Sequence, residues 1–427
     1  MRFYLETYGC SANQSDSTIM KDLLAADGWL ETPDEDEADL LIVNTCGVKK
    51  PTEDKIINRI KALNDLGRPV LISGCLPRID PVAMADLDYS VMIDVDGVQE
   101  ISDAAKRAIE GARRLRLIYE RPASKPSYIS SKLSTTVGVV EIQEGCAYGC
   151  TFCGTKSSRG DLYSYPADDI IRAVSRLVKA GAREVWFTGQ DVAAYGDGDL
   201  PRLLRMLGTV DGEFRVRVGM MTPVFAKRII EGLLSLFPSK SVYQFFHIPV
   251  QSGSDLVLGA MKRGYTAKMY AELIDGIRGR LNDATLSTDI IVGFPTEDAE
   301  AFEDTLKLLE STRPAVINLS KYWKRPGTEA ARMKDLDSGV ISSRSRMLYQ
   351  MALSIMKEEN ERWLGWEGEA VIIERGTVKG TWVARNYAYK PIVVKQDEMA
   401  NGNPLGRRIT VHIEGAGQTH LKAKVTV

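Results

Sequence analysis

The chain has 427 residues, 44% of them hydrophobic and 26% charged, with a formal net charge of −2 and a pI of about 6.1. That length points to two to four domains rather than one. The near-neutral balance excludes a polycation that binds nucleic acid with its whole surface, so any RNA contact must be local.

No stretch is long and apolar enough to span a bilayer. The opening Met1-Arg2-Phe3-Tyr4-Leu5-Glu6 has an acid at its sixth position and reads as a strand, not a secretory leader. The expected setting is cytoplasmic, with no membrane partner.

Residues 1–112 alternate strand and helix signals. RFYLETYGC reads as a strand ending at Cys10, followed by the helical NQSDSTIMKDLLAADG with Gly28 as its stop. LLIVNTC is a β-branched strand ending at Cys46, and Pro51 opens a second helix. PVLISGC is a third strand, ending at Cys75, and VMIDV a fourth. This order predicts a doubly wound α/β domain on a parallel sheet. In such a sheet the C-terminal strand ends share one edge, where ligands bind. Three thiols far apart in sequence are therefore expected to meet in space.

Periodicity is lost over 113–134, where Pro, Ser and basic residues dominate. This reads as a solvated linker, with a basic RNA-facing strap as the alternative. From 135 to 362 six candidate strands return: TVGVVEIQ, EVWFTG, FRVRVGM, VYQFFHIPVQ, ATLSTDIIVGF and AVINLSKYW. Six strand–helix units are too few for a closed eightfold barrel, so an open (β/α)6 partial barrel is expected, with its site at the strand C-termini. From 363 to 427 the runs EAVIIE, GTWVARN, PIVVK, RITVHIE and LKAKVTV predict a small closed barrel of the OB type. Its basic residues are Arg375, Lys379, Arg385, Lys390, Lys395, Arg407, Arg408, Lys422 and Lys424, with Trp382, Tyr387 and Tyr389 among them. Charge beside aromatic faces suits single-stranded RNA; an ordinary barrel with a few exposed rings is the bland alternative.

The six cysteines fall into two sets of three, Cys10, Cys46, Cys75 and Cys146, Cys150, Cys153. A reducing compartment argues against disulfides. Cys146-Ala-Tyr-Gly-Cys150-Thr-Phe-Cys153 has CxxxCxxC spacing directly after the first strand of the second unit. Three thiolates on one loop suit three irons of a [4Fe–4S] cluster and leave the fourth iron open. Zinc would need a fourth ligand, and His247, His412 and His420 are all remote from this loop in sequence. Buried structural cysteine is the remaining bland reading.

This spacing, with an aromatic residue before the last cysteine, resembles the radical S-adenosylmethionine signature. The resemblance implies a cluster that gives one electron to the bound sulfonium and yields methionine and a 5′-deoxyadenosyl radical. It also implies cofactor contacts: Phe152 in the loop, Gly189-Gln190-Asp191 for the methionine amino group, Gln251 and Ser252 for ribose and carboxylate, and Asp289, Gly293 and Phe294 around adenine. Each segment is also a strand end where turns need Gly or Pro.

The order of domains resembles the methylthiotransferases over nearly the whole chain. Tyr8-Gly9-Cys10-Ser11-Ala12-Asn13-Gln14-Ser15-Asp16-Ser17, Asn44-Thr45-Cys46, Gly74-Cys75-Leu76 and Arg325-Pro326-Gly327-Thr328 match that family's motifs, and the last barrel matches its RNA-binding TRAM domain. The resemblance implies a second [4Fe–4S] cluster on Cys10, Cys46 and Cys75 that carries the inserted sulfur. It further implies S-adenosylmethionine as both methyl and radical source, tRNA held by the terminal barrel, an electron donor and a sulfur source. Asn13 and Asn44 are candidates to orient the sulfur-bearing site or the substrate; helix cap and strand-end turn are their structural alternatives.

Thr155-Lys156 after the last cysteine resembles the archaeal and eukaryotic branch that modifies N6-threonylcarbamoyladenosine 3′ of the anticodon. On that reading Lys156 or Arg159 meets the threonyl carboxylate or a phosphate; both are equally readable as solvated loop charges. Isopentenyladenosine in tRNA and an aspartate of a ribosomal protein are the alternative substrates. A tRNA-binding iron–sulfur protein without sulfur insertion is the alternative from another class.

Overall fold

A computed structural model describes residues 1–121, 124–130, 135–237, 239, 241–398 and 402–426. The apolar runs near the N-terminus are buried on both faces, as parallel strands covered by helices must be. Six strands, β1 (Arg2–Thr7), β2 (Leu30–Glu31), β3 (Leu40–Thr45), β4 (Val70–Gly74), β5 (Val91–Ile93) and β6 (Leu115–Leu117), form one parallel sheet. The order is β2-β1-β3-β4-β5-β6, so the direction of winding reverses between β1 and β3. In doubly wound sheets that reversal opens a crevice at the strand C-termini. Cys10, Cys46 and Cys75 follow β1, β3 and β4 at that edge.

The expected linker needs correction at both of its described parts. Leu115 and Leu117 alternate with Arg116 as the sheet's edge strand, a period-2 signal hidden inside a basic run. Lys125 is only 1% exposed and is held by carboxylates from two domains. Within 113–134, residues 122–123 and 131–134 lie outside the described residues.

The second unit contains β7 (Val137–Glu141), a short antiparallel pair β8 (Gln143–Glu144) and β9 (Tyr163–Ser164), then β10 (Glu184–Thr188), β11 (Arg215–Val218), β12 (Phe245–His247), β13 (Thr285–Val292) and β14 (Val316–Lys321). The parallel sheets β7-β10-β11 and β12-β13-β14 meet through bridges Val216–Val242 and Met220–His247. The six parallel strands thus make the open arc expected from the sequence. The helix Ser338–Glu361 then leads to β15 (Glu367–Arg375), β16 (Thr381–Arg385), β17 (Pro391–Lys395), β18 (Arg408–Ala416) and β19 (Leu421–Thr426), a closed five-stranded barrel. No helix among the described residues is long and apolar enough to cross a membrane.

The terminal barrel uses most of its rings to dock rather than to face solvent. Trp382 is 5% exposed inside the barrel core. Tyr387 donates to Asp283 at 2.6 Å and Tyr389 to Glu184 at 3.2 Å, both across the boundary with the partial barrel. The stacking surface expected from these three residues is therefore turned inward: the two tyrosine hydroxyls are satisfied by acids of the partial barrel, and Trp382 fills the barrel core. Lys379, Lys395, Arg407, Lys422 and Lys424 remain exposed.

Lys390 also points inward and donates to Asn360 at 2.9 Å. Burial depresses its ammonium to about 8. The unfolded chain keeps this lysine protonated up to about 10.4, so between the two values unfolding takes up a proton. Stability is therefore expected to rise as pH increases from about 8 toward 10.4. Comparing urea unfolding of the wild type and Lys390→Met across this window checks it; an identical pH slope in both proteins refutes the assignment.

Candidate active site between two cysteine triads

The first triad is built on strand ends. Cys10 is exposed, whereas Cys46 and Cys75 are 6% and 5% exposed. Gly9 has φ +107°, and a Cβ there would lie 2.9 Å from the Cys46 sulfur, so only glycine leaves this approach open. Asn13 ties the loops together. Its Nδ2 donates to Tyr8 O at 2.7 Å and Thr45 O at 2.8 Å, and its Oδ1 faces the Cys75 sulfur at 3.7 Å. Asn44 donates to Asn13 O and to Ser17 Oγ, both at 2.9 Å. Both asparagines are fully buried and bonded to the loops behind the triad.

Burial raises the Cys46 thiol to about 11 and also pushes Cys75 up. These groups are thus protonated at neutral pH until a metal displaces the proton. Arg325 lies near Cys46, is 3% exposed and pairs with Glu53 at 2.5 Å. Its Nε and Nη2 have no partner.

The second triad lies on the loop after β8. Burial raises Cys146 to about 11 and pushes Cys150 up. Arg263 donates to the Cys150 sulfur at 3.0 Å and is 6% exposed, so a fixed positive charge sits where thiolate charge must be held. Among the described residues no three His, Cys, Asp or Glu side chains converge on a single ion. Three thiols at each site, Arg325 near one triad and Arg263 on the other, and the approach that Gly9 leaves open at the first fit a cluster that takes one thiolate per iron.

A cavity of ≈ 340 Å³ lies beside Cys153. Phe152, Gln251 and Asp289 line it, together with Val48 and Lys49 from the loop after Cys46. Gln251 adopts φ +72°, a left-handed conformation that non-glycine residues avoid unless the surroundings impose it. Burial works to raise Asp289, but hydrogen bonds from His247 at 2.9 Å and Asn318 at 2.8 Å hold it below the ordinary carboxylate value. Gln190 presents a buried Oε1 with no partner, an acceptor free for an ammonium group.

Other expected contacts are turned away from this space. Asp191 is fully buried and accepts from Thr222 N at 2.9 Å and Thr222 Oγ1 at 2.5 Å, and burial raises it to about 6. Thr222 is the N-cap residue of the helix Pro223–Leu234, so Asp191 anchors the start of that helix. Ser252 is 1% exposed and bonds Thr305 and Ser254 N. Gly189 packs on Gln143, and Gly293 on Ile341. Phe294 lies behind Phe152 as part of the wall, with Tyr322 on its other side. A strand-end motif does not reveal which of its side chains points inward, and that choice separates these residues from Gln251 and Asp289.

The two basic loop residues sit in different surroundings, Lys156 at the surface and Arg159 buried. Lys156 pairs with the exposed Asp161 at 3.0 Å. Arg159 is 1% exposed and binds Asp16 at 2.8 Å, Glu141 at 2.9 Å, Glu144 at 2.7 Å and Asn13 at 2.9 Å. It joins the two triads' supports and offers nothing to a substrate. The sequence reading did not single out Arg263, Arg217, Lys125 or the carboxylates around Arg159. Only Asp16 and Arg325 stood inside quoted motifs.

The Radical SAM superfamily model matches residues 140–309, and the model of Uncharacterized protein family UPF0004 matches residues 2–94. The chain is 39% identical to a probable threonylcarbamoyladenosine tRNA methylthiotransferase of Archaeoglobus fulgidus, over 92% of this chain and 93% of that one. It is 36% identical to the one of Pyrococcus abyssi over 100% and 99% of the two chains. It is 31% identical to the threonylcarbamoyladenosine tRNA methylthiotransferase of Xenopus laevis over 99% and 77%. Among solved structures, a radical S-adenosylmethionine methyltransferase from Kitasatospora setae superposes with a TM-score of 0.57 at 14% identity, covering 77% of this chain and 74% of that one. At that identity the likeness is one of fold.

Proposed function

The chain belongs to the threonylcarbamoyladenosine tRNA methylthiotransferases, a radical S-adenosylmethionine family, and from that membership we propose how its two triads divide the reaction. The enzyme replaces the C2 hydrogen of N6-threonylcarbamoyladenosine in tRNA by a methylthio group. Cys146, Cys150 and Cys153 hold the cluster that the superfamily uses with S-adenosylmethionine, and Cys10, Cys46 and Cys75 hold a second one. When bound, the first supplies the electron for reductive cleavage of the sulfonium and the second an open iron for the sulfur. An adenine C2–H is too weakly acidic for a general base, which is why radical chemistry is required.

The observation that carries this reading is the shared cavity. Cys153, Phe152 and Thr155 from one triad's loop and Val48 and Lys49 from the other's line the same ≈ 340 Å³ space. Reagents generated at one triad thus need not cross solvent to reach the other. Gln190 accepts from the methionine ammonium, while Gln251 and Asp289 face the rest of the cofactor. Phe152, Phe294 and Tyr322 form an apolar wall that keeps water from a reactive radical. Arg263 and Arg325 oppose the thiolate charge of the two triads.

On this reading, tRNA backbone contacts come from the exposed lysines and arginine of the terminal barrel. An external electron donor and sulfur source complete the cycle, and the setting is cytoplasmic. The test is nucleoside mass spectrometry on the anaerobically loaded enzyme with reductant, S-adenosylmethionine, a sulfur source and tRNA bearing threonylcarbamoyladenosine. A gain equal to one methylthio group replacing hydrogen on that nucleoside is expected. A gain on isopentenyladenosine or on a ribosomal-protein aspartate instead overturns the substrate. No gain on any of them overturns the reaction.

A further inference from the structure

The β11 sequence Arg215-Val216-Arg217-Val218 alternates in an unusual sense for a barrel strand. Val216 and Val218 are 0% and 4% exposed and pack in the core, which leaves the arginines on the opposite face. A closed barrel fills that inner face with branched apolar side chains. Here Arg217 instead enters a lumen of ≈ 810 Å³ enclosed by the arc. That volume is within the roughly 300–1,000 Å³ of small-ligand sites.

The lumen's charge is one-sided. Lys49, Arg217, Arg385 and Lys390 line it, with His247, and no aspartate or glutamate does. This contrasts with a chain whose net charge is −2. The nearest carboxylates are already engaged. Asp289 is bonded to His247 and Asn318, and Glu184 is fully buried and bonded to Trp186, Tyr243 and Tyr389. Arg217 has no hydrogen bond or ion pair among the described residues. Its guanidinium is instead packed 5.4, 5.0 and 5.7 Å from the ring centroids of Trp186, Phe245 and Tyr389. Aromatic faces steady a guanidinium without neutralising it. Beside it Arg385, whose Nη2 lies 3.7 Å from the exposed Glu374 while its buried Nε has no partner, and Lys390 rise from the terminal barrel, which closes the floor. A half-enclosed, acid-free lining with Arg217 itself unpaired at its centre is built for an anion.

Building on the proposed function, we propose that this lumen is the specificity pocket for the modified base, with Arg217 receiving the carboxylate of its threonylcarbamoyl group. The upper end of the lumen is bounded by Ser11 and Lys49, next to Cys10 and three residues after Cys46. The carboxylate hangs from N6, and C2 lies on the other side of N1. Anchoring the carboxylate low in the lumen therefore leaves C2 facing the triads. The terminal barrel then has a second role besides holding RNA: Arg385 and Lys390 complete the pocket floor. An isopentenyl base offers nothing to these cations and would leave them desolvated, which is how a polar site rejects an apolar analogue.

A tRNA phosphate is the other source of an anion, and the experiment separates the two. Initial rates would be measured for wild type, Arg217→Met and Arg217→Lys on tRNA carrying threonylcarbamoyladenosine and on the same tRNA with that carboxylate as its methyl ester. Binding of tRNA with an unmodified adenosine would be followed by fluorescence anisotropy. The wild type is expected to prefer the carboxylate by about a hundredfold in kcat/KM, the size of a charged hydrogen bond. Arg217→Met should collapse that preference to within about threefold, and Arg217→Lys should keep part of it. A preference that survives in Arg217→Met overturns the proposal. So does an Arg217→Met loss of affinity for unmodified tRNA, which would assign the residue to a phosphate. A wild type that modifies neither substrate but acts on isopentenyladenosine tRNA removes the proposed function itself, whatever Arg217 does.

Discussion

Replacing Cys46 with Ala is expected to abolish methylthio product while 5′-deoxyadenosine is still formed. Cys46 follows β3, is 6% exposed and neighbours Cys75 and Cys10. Its thiol is pushed up to about 11 by burial, so an apo-site holds it protonated and poorly nucleophilic. Its chemical use then depends on metal displacing that proton. The other three cysteines sit on a separate loop after β8, with their own guanidinium at Cys150. Loss of Cys46 should therefore halve the iron bound and end sulfur insertion, with S-adenosylmethionine cleavage remaining detectable. Iron analysis and product chromatography on one preparation check this. Normal methylthio product from the Cys46→Ala protein would rule out the role given to the first triad, and an electron-relay role would predict reduced rather than absent product.

Arg159→Met is expected to destabilise the fold by about 3–5 kcal/mol, the cost of breaking a buried ion pair by removing one partner. Arg159 and Lys125 face Asp16, Glu141 and Glu144, and none of the five is more than 1% exposed. The variant leaves one cation against three carboxylates in a site water does not reach. Asp16 belongs to the first domain's helix Ser11–Ala26, and the glutamates to β7 and β8. The seam between the two domains should loosen first. Arg107→Met is the control: its side chain is 49% exposed and pairs with the exposed Asp103 at 2.7 Å one helical turn away. It should leave stability nearly unchanged, as the loss of a surface pair does. Urea unfolding of the metal-free proteins measures both, and a loss under about 1 kcal/mol for Arg159→Met would contradict the keystone role. Arg159 also lies 2.9 Å from Asn13, whose Oδ1 faces the Cys75 sulfur. A loosened seam should thus appear as faster iron loss from the first triad.

Several features were readable before any coordinates because they are local. A run such as LLIVNT opens with four apolar residues and includes three β-branched ones, and it forms β3 with every residue buried. CxxxCxxC spacing is set by one loop. Five short strands with turn residues between them close into one barrel whatever they pack against. The placement of three distant cysteines at one sheet edge followed from parallel strand order, which chain connectivity strongly restricts.

Arg159 and Arg217 show what local pattern cannot decide. Both are single arginines among polar or alternating residues, and in sequence the one near Cys153 was the better substrate candidate. The fold brings Asp16 to Arg159 from 143 positions away, together with Glu141 and Glu144. It gives Arg217 aromatic rings from β10, β12 and the terminal barrel and no acid at all. Tyr389 and Lys390 likewise became pocket and docking residues when the terminal barrel seated on the floor of the arc. The sequence by itself determined the main strands, the two triads, the three units and the reaction family, since these depend on residue type, spacing and chain order, whereas the edge strand β6 stayed hidden in a basic run. Tertiary structure alone decided which charges are neutralised and which remain free for a ligand. A charge in a low-dielectric interior is governed by through-space neighbours, and those are set by packing between distant segments.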